Sequence, residues 1–185
     1  IKERILKGMY RFKAAEEGRS ELRAHLFGSG AILNEALKAQ VLLAEKYGVA
    51  ADVWSVTSYK ELYHDGNDVE RWNMLHPAEK PRTPYITQCV AGDDGVFVAA
   101  TDYVKALPDS ISQWLPGRLI SLGTDGFGRS DNRAGLRDFF EVDHRFISLA
   151  TLSALARERK IKNEVVNQAM RDLEIDPDKA NPRLT

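Results

Sequence analysis

From residue 22 onward, short apolar runs that end in glycine or a polar turn alternate with stretches of helical period. Strands joined through helices are crossover-connected, so they lie parallel in a sheet that is covered on both faces. The runs 22–27, 53–56, 96–100 and 118–122 read as strands. Residues 31–47, 59 to about 72, a short piece within 105–114, 131–140, 144–157 and 161–173 read as helices. Ahead of this pattern, 1–8 reads as a short helix or arm. Residues 9–14 then alternate, Tyr10, Phe12 and Ala14 facing one way and Arg11 and Lys13 the other, which is the period of a strand. The polar run Glu16-Glu17-Gly18-Arg19-Ser20 should turn the chain, making 9–14 and 22–27 an antiparallel hairpin at a sheet edge.

Helix boundaries are written in capping residues. Leu33, Ala36, Leu37, Ala44 and Tyr47 share one face of the first long helix, and Gly48 supplies its stop. Ser58 and Glu61 fit a capping box, while Gly66 weakens the helix that follows. The prolines at 77 and 81, with Pro84 following at once, make 76–82 an ordered loop. Ser130 and Asp143 are positioned to cap 131–140 and 144–157, the latter burying Phe146, Leu149, Ala150 and Leu152 or Leu155. Ile161, Val165, Ala169 and Leu173 line the last helix, which Asp176-Pro177 ends. The length of 185 residues suits one domain over 1–185, with an N-terminal arm and edge strand over 1–21 and a C-terminal tail over 176–185.

Composition narrows the function. Lys and Arg number 26 against 27 Asp and Glu, so no long-range field recruits nucleic acid or an acidic membrane. The longest stretch free of charged residues is eleven, short of the roughly 20 apolar residues a membrane-spanning helix needs. One cysteine, Cys89, forbids an internal disulfide and a four-thiolate metal site, and its apolar surroundings suit a buried, inert thiol. The four histidines, His25, His64, His76 and His144, show no helical metal-pair spacing. The start, Ile1-Lys2-Glu3-Arg4, has neither Met nor a signal-peptide pattern, so the chain is read as a piece of a longer one.

Three segments invite a functional reading. Gly28-Ser29-Gly30 lies between a strand and a helix, where an anion or nucleotide could sit, but Leu33 stands where a third glycine is wanted and Thr57-Ser58 where a ribose-binding acid is wanted. A tight turn explains the same residues. Glu70-Arg71-Trp72-Asn73-Met74-Leu75-His76-Pro77 packs aromatic, apolar and charged groups at a helix end. Leu122-Gly123-Thr124-Asp125-Gly126-Phe127-Gly128-Arg129-Ser130-Asp131 sets one Phe among three glycines at the carboxyl end of a strand, the edge where open α/β sheets bind ligands and partners. Phe127 either anchors a partner or folds back over its own core.

These strings, with Phe27-Gly28-Ser29-Gly30, Asp52-Val53-Trp54-Ser55-Val56-Thr57-Ser58, Thr101-Asp102-Tyr103 and Asn181-Pro182-Arg183-Leu184, occur in one order and spacing that resembles the C-terminal domain of the homodimeric bacterial type of pyruvate dehydrogenase. The resemblance covers essentially the whole chain. It implies a transketolase-like C-terminal domain, a three-layer α/β/α fold on a mixed sheet of about five strands. It implies a cytoplasmic parent acting after glycolysis in a multienzyme complex, an oxidoreductase that decarboxylates pyruvate with thiamine diphosphate and Mg²⁺ and acetylates lipoyl groups. Implied partners are the other domains of the same polypeptide, the second subunit of a homodimer and the dihydrolipoamide acetyltransferase component. The family's cofactor motif runs from G-D-G to paired asparagines. Here the nearest string is Gly92-Asp93-Asp94-Gly95 and no Asn-Asn pair exists, so no catalytic, cofactor or metal residue is expected in this domain. The residues expected to make contacts are Trp72, His76, Asp125, Phe127 and Arg129. Two rivals stand beside it: a free-standing Rossmann-like anion- or nucleotide-binding module, and the C-terminal domain of a transketolase-like sugar-transfer enzyme, which shares the fold.

Overall fold

The computed structural model describes residues 1–16 and 21–185. The elements run α1 (Lys2–Leu6), β1 (Met9–Lys13), β2 (Arg23–Gly28), α2 (Leu33–Tyr47), β3 (Ala50–Val56), α3 (Tyr59–Leu75), α4 (Tyr85–Cys89), β4 (Val96–Ala100), α5 (Ala106–Asp109), β5 (Leu119–Leu122), α6 (Arg133–Phe139), α7 (His144–Arg157) and α8 (Asn163–Asp172). The strands form one five-stranded sheet in the order β1-β3-β2-β4-β5. β2 pairs parallel with β3 and with β4, β4 pairs parallel with β5, and among the described residues β1 alone is antiparallel. The expected mixed, mostly parallel sheet of an α/β/α fold is the fold observed.

Period two divides the strand side chains between two cores. Ala24, Leu26, Ala51, Val53, Val96 and Val98 face α2 and α7, against Ala36, Ala39, Leu43, Ile147 and Leu152. Phe27, Trp54, Val56, Phe97 and Ala99 face the other way, against Tyr59, Leu62, Ile86, Ile111 and Trp114. No helix among the described residues is long and apolar enough to cross a membrane.

Several expectations need correction. The hairpin does not form: β1 pairs with β3, Met9 opposite Val56, and β3 lies between β1 and β2. β2 is covered by helices on both faces and takes the centre, whereas the charged β1 suits only an edge. The turn assigned to 16–20 lies, beyond Glu16, outside the described residues. On β1 it is Met9 that is buried, while Phe12 is half exposed past a register shift between Arg11 and Lys13. The buried stripe of α2 is Glu35, Ala36, Ala39, Gln40 and Leu43, rotated from the expected face because α2 is wedged between the sheet and α7. Asn132, not Ser130, caps α6, its Oδ1 accepting from Gly135 N at 2.9 Å. Ser58 caps α3, accepting from Glu61 N at 3.2 Å, but only this half of the expected capping box forms, since Ser58 N donates to Gly8 O at 3.1 Å; Gly48 closes α2 at φ 63°. Asp143 caps α7, accepting from the backbone N–H groups of Arg145 and Phe146.

Candidate functional site

The crossover from β2 to β3 leads one way across the sheet, and the chain then returns past β2 to reach β4. The carboxyl ends of β2 and β4 therefore flank the point where the strand order reverses, the usual ligand edge of an open α/β sheet. Gly28-Ser29-Gly30 follows β2 there. Its serine does not face an open seat: Ser29 Oγ donates to Thr101 Oγ1 at 2.7 Å, both groups buried. A side chain added at Gly30 would sit 3.6 Å from the Asp102 carboxylate, so a negative charge already fronts this turn. The tight-turn reading fits this geometry better than an anion seat.

The glycine-rich segment after β5 is tied down on its near side. Thr124 N donates to Tyr103 O at 2.9 Å and Thr124 Oγ1 to Asp102 O at 2.8 Å. Asp125 Oδ1 accepts from Lys105 N at 2.9 Å. Gly126, at φ 102°, lies under the C-terminal segment, and an added Cβ would meet Pro182 O at 2.9 Å and Arg183 Cα at 3.0 Å. Only glycine fits that conformation and that approach. Beyond this clamp Phe127 turns outward and is 84% exposed. Arg129 turns back, its guanidinium 4.0 Å from the Phe139 ring centroid. Tyr103, Val104 and Leu184 are also exposed on the segments that hold the loop. The tail is ordered here as a 3-10 turn over Pro182–Leu184, with Pro182 buried.

Trp72 and His76 form a separate group at the end of α3. Their rings stack at 4.4 Å, Arg82 lies 3.7 Å from the Trp72 ring, and His76 Nδ1 lies 2.8 Å from Trp72 O. Asn73 bonds Arg82 N through its side-chain oxygen at 2.8 Å. These contacts fold 76–84 back onto the helix and leave Met74 and Leu75 exposed. No hydrogen bond, ion pair or ring contact among the described residues joins this group to Asp125, Phe127 or Arg129.

Sequence reasoning missed two polar clusters. On the α3 face of the sheet, His25, Asp52 and Asp93 each offer an atom within 4.8 Å of the others, the donor types of a metal site. Guanidinium groups already hold these carboxylates: Arg11 Nη1 lies 3.3 Å from Asp52, and Arg23 Nη2 2.8 Å from Asp93. Trp54 Nε1 donates to His25 Nδ1 at 3.1 Å, which fixes the proton of the neutral ring on Nε2, 3.6 Å from Asp93. Burial pushes the His25 pKa down, with Asp93 and Asp52 opposing it. The same pairing bears on the string at 92–95. Asp93 belongs to Gly92-Asp93-Asp94-Gly95 and is engaged by Arg23 and by Gly95 N, so the string does not fit a diphosphate–metal site. The second cluster centres on buried Glu35, which meets Lys38, Arg137, His144 N and His144 Nδ1 at 2.8–3.2 Å. Burial would raise this carboxyl, but hydrogen bonds from Lys38 and His144 outweigh it and hold the pKa below the ordinary range. The available signal was a polar residue inside an otherwise apolar period, His25 on β2 and Glu35 on α2. Cys89 is half-buried, and burial raises its thiol pKa, consistent with an inert thiol.

The family model described as a transketolase-like TK C-terminal domain matches residues 8–143. The pyruvate dehydrogenase E1 component of Pseudomonas aeruginosa is 49% identical over 183 residues, 97% of this chain and 20% of that protein. The same component of Escherichia coli K12 is 46% identical over 98% of this chain and 20% of its own length. The chain thus spans about a fifth of the length of these relatives. Among solved structures, a transketolase from Leishmania mexicana aligns with a TM-score of 0.55 at 17% identity, covering 84% of this chain and 19% of that one. A split-gene transketolase, an inactive β4 tetramer, gives 0.54 at 16% identity over 82% of this chain and 43% of that one. The structures speak for the fold alone, and by the family model, which spans more than half of it, the chain belongs to the transketolase-like C-terminal domain family.

Proposed function

We propose that residues 1–185 form the C-terminal assembly domain of a pyruvate dehydrogenase E1 component and perform no chemistry alone. The observation that carries this reading is Phe127, a large apolar side chain left 84% exposed on a loop clamped by Lys105, Tyr103 and the C-terminal segment. An exposed aromatic on a braced loop has the form of an interface anchor, since the ordering entropy of its surroundings is already met. Asp125 and Arg129 hold that loop. Trp72 and His76 hold the end of α3, which offers Met74 and Leu75 as a second apolar contact. The surfaces they would meet are the preceding domains of the same polypeptide, the second subunit of a homodimer and the dihydrolipoamide acetyltransferase component of a multienzyme complex. Identity of 41–49% to E1 components along nearly the whole chain favours this over a free-standing nucleotide module or a sugar-transfer enzyme.

On this reading thiamine diphosphate and Mg²⁺ belong to domains of the parent outside this chain, and the cytoplasm is where the parent would take pyruvate from glycolysis. Calorimetry tests the division of labour. Thiamine diphosphate with Mg²⁺ should give no binding heat on this chain, whereas micromolar binding would overturn the assignment.

A further inference from the structure

A cavity of about 360 Å³ opens at the strand-order reversal, between the loops that follow β2, β4 and β5 and the start of α6. That volume lies within the range of small-molecule pockets, and its position is the crevice that open α/β sheets use for ligands. Its walls are chemically divided. Ile32, Leu136, Phe140 and Val142 make an apolar floor, and Phe127 stands at the rim. Asp102 lines one side, while Arg129, Arg133 and Arg137 line another.

Arg137 is paired with Glu35 at 2.8 Å, but among the described residues neither Arg129 nor Arg133 has a carboxylate within ion-pair distance, and Asp102 has no cationic side chain within it. Arg133 and Arg137 are four residues apart on α6, and because Glu35 already pairs Arg137, Arg133 is the guanidinium of that helix left to meet an anion. Two of the three guanidinium groups are already positioned, Arg137 by Glu35 and Arg129 by the Phe139 ring. Fixed guanidinium forks beside an apolar floor favour an anionic head attached to an apolar or flat body. The Asp102 carboxylate, unpaired among the described residues, accepts a donor such as a hydroxyl or amine.

We propose that this cavity binds a flat-bodied organic anion that also carries a hydrogen-bond donor, the chemistry of a nucleoside monophosphate. The phosphate meets Arg129 and Arg133, the ring lies against Phe127 and the apolar floor, and a sugar hydroxyl faces Asp102. The seat is the arginine wall, distinct from Gly28-Ser29-Gly30, whose open side Asp102 fronts. The inference stands whether or not Phe127 also contacts another domain.

Calorimetric titration of this chain with adenosine monophosphate, guanosine monophosphate, adenosine, ribose 5-phosphate and inorganic phosphate tests it. At least one monophosphate should bind with a dissociation constant below 1 mM, on the order of a tenfold or greater advantage over adenosine and ribose 5-phosphate. The double variant Arg129→Gln, Arg133→Gln should lose about tenfold or more in affinity, and Asp102→Asn should weaken binding while leaving the circular dichroism unchanged. Absence of saturable binding by both monophosphates would overturn the proposal. So would binding no tighter than inorganic phosphate, or binding that the arginine variants leave intact. None of these results bears on assembly, which is read from the longer parent.

Discussion

Gly66 lies inside α3, where glycine is about 1 kcal/mol worse than alanine, so propensity alone predicts that Gly66→Ala stabilises the chain. The structure predicts the reverse. An added Cβ would lie 2.4 Å from Cε2 and Cζ2 of Trp114. Carbon atoms pack at about 3.5–4.0 Å, so the indole or the helix would have to retreat by roughly 1 Å or more. The indole has little room: it is 6% exposed, donates from Nε1 to Glu70 at 3.0 Å, and tilts against Tyr63 at 5.9 Å. Overpacking of this kind costs about 1–3 kcal/mol, and an overlap this deep belongs at the upper end. Less the propensity gain, Gly66→Ala should destabilise by about 2 kcal/mol in urea unfolding followed by circular dichroism. In a Trp114→Phe background the same change should be nearly neutral or favourable, a coupling of about 2 kcal/mol or more between the two positions. Stabilisation by Gly66→Ala in the parent sequence would refute the close-approach argument.

Acid should weaken the fold in two stages. His25 is held below its usual pKa, so the unfolded chain binds more protons once the pH drops below about 6.5, and stability should decline from there. His25→Asn should flatten that first decline, by at most about 1.4 kcal/mol per pH unit for one proton. Glu35 is also depressed, so its contribution is present above the unfolded carboxylate range near 4.3 and lost below it, and Glu35→Gln should flatten this second decline. Asp143→Ala removes a cap that serves two backbone N–H groups and pairs Arg145, and should cost about 1–2 kcal/mol in a thermal melt, with Asp143→Asn retaining most of the cap.

Local chemistry was readable because it is written in neighbouring residues. Ser58, Asp143 and Gly48 end their helices where the sequence puts them, and the glycine spacing around Phe127 marks the loop that leaves it exposed. What failed to read depends on partners distant in the chain. β1 goes to β3 rather than β2 because a central strand needs both neighbours, which a local hairpin pattern cannot express. Glu35 and Gln40 are buried because α7 and the sheet meet α2 there, and Gln40 Nε2 spans Ala14 O and Ala51 O. His25, Asp52 and Asp93 come from β2, β3 and the turn before β4, so their proximity exists only in the folded sheet. The arginine-lined cavity likewise needs four loops and helices to close around it.

The central claim is that Phe127 serves assembly and not the core of this domain. Phe127→Ala, made both in this chain and in the longer E1-type parent, tests it with one substitution. Unfolding of the isolated chain should stay within about ±0.5 kcal/mol of the unsubstituted protein. In the longer protein, the dissociation constant of the proposed dimer, or of the proposed complex with the acetyltransferase component, should rise by about tenfold or more, the loss of one anchor of about 1.4 kcal/mol or greater. A loss of about 3–5 kcal/mol in the isolated chain, the cost of truncating a core aromatic, or unchanged assembly of the parent, would contradict the account.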